Sequence, residues 1–150
     1  MNAGGIDVSK GYSTVCVMRS FGEIVVSPFE VKHTVSELCD LAKSLKSLND
    51  ETKMIMECSG NYQLPIVTAL HSAELFVSAV NSLLINKLGN DIIRNREPGP
   101  ADSIKIANYG LSAGVKLPKH VSEEEVCKSL KSFRANTTRT TKLRLYLRIT

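Results

Sequence analysis

Three acidic residues occupy positions where acids are costly. Asp7 interrupts the apolar run Gly-Gly-Ile-Asp-Val, and Glu57 closes Met54-Ile55-Met56 just before the loop Cys58-Ser59-Gly60-Asn61-Tyr62. Aspartate is depleted from strands, and a carboxylate buried without a partner is expensive. Asp102 stands at the head of a later helical pattern. Brought together, the three would be hard oxygen ligands suited to Mg²⁺ or Mn²⁺. Two such ions about 4 Å apart stabilise the attacking and leaving oxygens in phosphodiester chemistry. Taken singly, each has a simpler reading: Asp7 bonding a loop amide, Glu57 pairing with a lysine, Asp102 capping its helix. Together, on the strand order below, a metal site is the favoured reading.

The other chemistry-bearing residues do not cluster in sequence. Cys16, Cys39, Cys58 and Cys127 form no CxxC pair and have no histidine at ligand spacing, which argues against structural zinc. His33, His71 and His120 are equally scattered and read as surface or satisfied histidines.

The elements that must position the acids follow from periodicity. Residues 3–10 and 12–18 read as strands broken at Gly11, and Ser20-Phe21-Gly22-Glu23 as a hairpin turn into a third strand, 24–31. Leu38, Leu41, Ala42, Leu45 and Leu48 recur at helical spacing behind a capping box of Thr34 and Glu37. A strand over 53–57, a helix over 65–72, a strand over 75–80 and a short helix over 82–88 come next. The polar stretch 89–101, with Pro98-Gly99-Pro100 inside it, reads as a loop. Asp102 is expected to cap a helix running through Ile104, Ile106, Ala107 and Leu111, and residues 123–133 suit one more. Three antiparallel strands followed by alternating helices and strands is the ribonuclease H-like order. The expected fold class is thus α/β, a mixed sheet flanked by helices.

Composition sets outer bounds. The chain of 150 residues, 43% apolar and 23% charged, suits one compact domain, expected over 1–120, with a helical or disordered basic tail over 121–150. The net charge of +4 is uneven: seven Lys and Arg follow the last acid, Glu125, and residues 1–127 carry −3. Such a tail is suited to polyanion contact or to a solvated end. No run approaches the roughly 20 apolar residues of a membrane span and the start lacks a signal-peptide layout, so a cytoplasmic protein with no membrane partner is expected.

Five stretches carry a family resemblance: GIDVSKG at 5–11, SPFEVKHTVSEL at 27–38, MECSGNY at 56–62, FVSAVNSLLI at 76–85 and ADSIKIANYGL at 101–111. In this order, over about residues 3–120, the chain resembles the insertion-sequence one-ten transposases, whose amino-terminal domain is RuvC-like with a DEDD metal site. The resemblance implies that Asp7 is the first acid, Glu57 the second and Asp102 the fourth. It implies catalytic and metal-ligating roles for these residues with Mg²⁺ or Mn²⁺, and DNA, a structured guide RNA and further copies of the chain as partners. The family's third acid falls at position 99, here Gly99, preceded by Glu97 and Pro98 in place of a basic and a hydroxyl residue. Nearby Asp91 or a water would be the substitute ligand. The family also continues into a domain that supplies a serine nucleophile, which matches nothing here, and likeness fades from Phe133. The expectation is therefore a truncated transposase domain with an impaired metal site.

Two other readings compete. One is a remnant that binds nucleic acid without cutting it. The other is an actin-like sugar kinase or ATPase, which shares the Gly-Ile-Asp strand but needs a second phosphate loop and an adenosine motif that the sequence lacks.

Overall fold

The computed structural model describes residues 1–58, 60–89 and 100–119. Alternating apolar residues make β1 (Asn2–Ser9) and β2 (Tyr12–Arg19). Gly11 turns the chain between them at φ 84°, a left-handed backbone that glycine enters without a Cβ penalty. A second tight turn through Phe21 and Gly22 leads into β3 (Glu23–Lys32). The three strands are antiparallel neighbours, with Asp7 opposite Thr14 and Tyr12 opposite Lys32. This is the expected meander.

Helix α1 (Val35–Lys46) buries Leu38, Leu41, Ala42 and Leu45 against the sheet. Each leucine contributes about 1.5–3 kcal/mol of transfer free energy. Thr34 Oγ1 accepts the Glu37 amide at 3.4 Å, the first half of the expected capping box. The second half departs from expectation. The Glu37 carboxylate accepts the Lys32 amide at 2.7 Å, which ties the start of α1 to the end of β3 instead of to Thr34.

The chain then returns through β4 (Thr52–Glu57), parallel to β1, crosses in α2 (Leu64–Ser72) and adds β5 (Phe76–Val80), parallel to β4. The sheet order is β3-β2-β1-β4-β5. Helices α3 (Ser82–Gly89) and α4 (Pro100–Ala113) follow. Two cores sandwich the sheet. Ile6, Val15, Val17, Met54, Met56 and Val77 meet α1 and α2, whereas Ala3, Ile55 and Val80 meet Ile85 of α3 and Ile106 of α4. The fold is the mixed α/β sheet flanked by helices that the element order calls for.

One expectation needs correction. Helix α4 begins at Pro100, whose fixed φ suits the first helical position, so Asp102 sits inside the first turn and does not cap it. Residues 90–99, including Asp91, Glu97, Pro98 and Gly99, lie outside the described residues, as do the helix expected at 123–133 and the basic tail. Residues Met1–His120 form one compact unit. Among the described residues no helix is long and apolar enough to cross a membrane.

Candidate metal centre

Parallel pairing of β1 with β4 brings together acids 50 residues apart in sequence. The last paired residues are Ile6 and Met56, and Asp7 and Glu57 follow one step later at the same level. Ile6 and Met56 point into the core beneath α1 and α2. Side chains alternate along a strand, so both carboxylates rise on the opposite face, at the carboxyl ends of neighbouring strands about 4.8 Å apart.

Glycine brings α4 onto that face. A Cβ at Gly5 would collide with the carbonyl oxygen of Ser103 and stand 2.6 Å from the amide nitrogen of Ala107, so only a residue without a side chain lets the helix lie this close. Farther along, Gly110 packs against Ile55 and against Ala3, where a Cβ would come within 3.2 Å. The helix therefore runs from the end of β1 back toward its start, and its first turn, carrying Asp102, overhangs Asp7. Partial positive charge at that helix start favours anions there.

The electrostatics report the convergence. The half-buried Asp7 carboxyl is held above its ordinary pKa, first by burial, then by the negative charge of Asp102, then by that of Glu57. Among the described residues Asp102 pairs with Lys105, whose Nζ lies at 4.0 Å. So long and exposed a pair is worth about 0–1 kcal/mol and offsets little of the repulsion among the acids. Among the described residues no three His, Cys, Asp or Glu side chains stand close enough to ligate one ion together. The three acids share an electrostatic field without sharing a coordination shell. As a donor set they nonetheless fit a hard divalent cation: all are anionic oxygens, and their mutual repulsion is what such an ion relieves.

The remaining candidates stay apart. His33 Nε2 lies 2.8 Å from the buried Ser13 Oγ, a satisfied histidine whose pKa burial lowers. Cys16 is buried, with its thiol pushed up to about 11, and Cys39 and Cys58 are exposed and free. A groove of about 700 Å³ between α1 and α2 shares no residue with the acids. Sequence reasoning passed over Gly5, although a Gly-Gly pair inside a strand is itself a signal of close backbone approach. It also passed over Tyr12 and Lys32, because their pairing on the acidic face exists only in the register.

This architecture recurs in solved structures. The Thermus thermophilus RuvC in complex with a Holliday junction substrate matches with a TM-score of 0.56 at 14% identity, over 76% of this chain and 96% of that one. Another structure of the Thermus thermophilus RuvC matches with a TM-score of 0.53, also at 14% identity, over 76% and 97%. At this identity the likeness is one of fold. No curated protein sequence matches the chain. The family model of IS110-type DEDD transposases, described as a transposase, matches residues 4–147. With that model spanning nearly the whole sequence on a RuvC-like fold, the chain belongs to the IS110 family of DEDD transposases.

Proposed function

We propose that this transposition protein acts on DNA through a divalent-cation centre whose ligands are Asp7, Glu57 and Asp102, with Mg²⁺ or Mn²⁺ as the ion. The observation that carries the reading is the placement of Asp7 and Glu57 side by side at the carboxyl ends of β1 and β4, under the first turn of α4 that carries Asp102. Burial raises the pKa of Asp7, and the negative charges of Asp102 on α4 and Glu57 on β4 raise it further. Such repulsion costs stability, and acids perturbed in this way cluster at functional sites. A bound divalent ion supplies Lewis-acid stabilisation of the phosphoryl oxygens. Asp7 and Glu57, on adjacent strands, offer a rigid pair of ligands. Asp102, on the first turn of a helix, offers one whose position depends on helix docking. DNA is the partner this reading requires, and the solved RuvC complex with a Holliday junction supports it by fold. A structured guide RNA and association of several copies follow from the family resemblance and belong to the same proposal.

A second reading is favoured by Gly99 at the place of the family's third acid and by the absence of a three-ligand cluster among the described residues. On it the chain binds DNA without cutting. Mn²⁺ calorimetry on wild type, Asp7→Asn and Gly99→Asp separates the two. The first reading expects wild type to bind, Asp7→Asn to lose binding, and Gly99→Asp to bind about tenfold tighter or more. Binding by Gly99→Asp alone would show a metal site disabled at its third ligand and would overturn the first reading. Binding by none would refute the placement of these carboxylates in one centre.

A further inference from the structure

Beyond the acids, the sheet face that meets α4 continues past Thr14 to exposed residues at the ends of β2 and β3. Gly5 and Asp7 face α4, so their cross-strand partners Cys16 and Thr14 do too, and Cys16 packs with Ala107 accordingly. Two residues past Thr14 the same face carries Tyr12, opposite Lys32, and opposite Thr14 it carries Glu30. Tyr12 is 40% exposed, and Lys32 and Glu30 are both exposed. Tyr12 thus lies about 7 Å along the strand from the position facing Asp7, a distance one or two nucleotides cover.

The two ends of the sheet differ in how their cations are used. At the far end Arg19 is engaged by Glu23 at 3.8 Å and by Asp50 at 3.2 Å. At the acidic end Lys32 closes no ion pair among the described residues; only its backbone amide is taken, by Glu37. An aromatic ring beside a lysine on the face of a sheet is an arrangement that binds a nucleic-acid strand by stacking and phosphate contact. Its adjacency to Asp7 would fix where along the strand the acids act.

We propose that Tyr12 and Lys32 form a platform for the DNA strand entering the acidic centre. Tyr12 stacks on a base and Lys32 takes a phosphate. The inference rests on reading Asp7, Glu57 and Asp102 as the centre that acts on DNA.

The test is fluorescence anisotropy with a labelled single-stranded oligonucleotide, and with its duplex, in Ca²⁺ so that the carboxylates are neutralised. Wild type is compared with Tyr12→Ala, Tyr12→Phe, Lys32→Gln and, as a control at the opposite end, Phe21→Ala, whose ring is fully exposed. Thermal melts confirm that each variant folds. Tyr12→Ala is expected to weaken binding about tenfold, Tyr12→Phe to retain it, and Phe21→Ala to leave it unchanged. Lys32→Gln is expected to reduce the salt slope by about one phosphate contact. If wild type binds and Tyr12→Ala and Lys32→Gln bind equally well, the platform is refuted while the nuclease reading stands. If wild type binds neither oligonucleotide, both fall together.

Discussion

Asp7 shows how a residue can work against the fold that holds it. Burial and the charges of Asp102 and Glu57 raise its pKa, so the folded chain binds this proton more tightly than the unfolded chain does. The contribution of Asp7 to stability is therefore full below its ordinary pKa of 3.8 and is lost as pH rises through the folded value. At neutral pH the ionised group destabilises. Asp7→Asn, which keeps the shape and removes the charge, is expected to raise the melting temperature of the metal-free protein by a few degrees. Mn²⁺ is expected to raise that of wild type and not that of the variant. A melting temperature lower in Asp7→Asn than in metal-free wild type would show that Asp7 is instead held by favourable partners.

Among the described elements α4 is critical, since it brings Asp102 from outside the sheet to Asp7. Its approach depends on the missing Cβ at Gly5, where backbone atoms of Ser103 and Ala107 stand in the way. At neighbouring Gly4 the obstacle is the thioether end of Met54, which can rotate aside. Gly5→Ala is therefore expected to cost about 2 kcal/mol or more, as overpacking against fixed backbone does, with Gly4→Ala costing clearly less. Urea denaturation of both variants checks the order. Because Gly5→Ala displaces the first turn of α4, it should also weaken Mn²⁺ binding in the fraction that stays folded, although it removes no ligand.

For the whole molecule, the pH profile of stability sums groups on both faces of the sheet. Burial lowers the His33 pKa below 6.5, so between that lowered value and 6.5 the unfolded chain binds more protons, and stability falls as pH drops through the window. His33→Gln, an amide that does not titrate, is expected to flatten this part of a pH series of thermal melts. An unchanged slope would assign it to other groups. Much of this architecture was legible beforehand. Period-two and helical patterns reflect sterics between near neighbours, and these placed every described strand and α-helix to within a few residues. The cost of an acid in an apolar strand likewise marked Asp7 and Glu57. Tertiary structure alone decided what those residues face. The parallel register of β1 and β4 sets Asp7 beside Glu57, close backbone packing at Gly5 aims α4, and the pairing of β2 with β3 puts Lys32 opposite Tyr12. Such contacts join residues far apart in the chain, and their free energy lies in packing across the sheet, which local sequence does not encode.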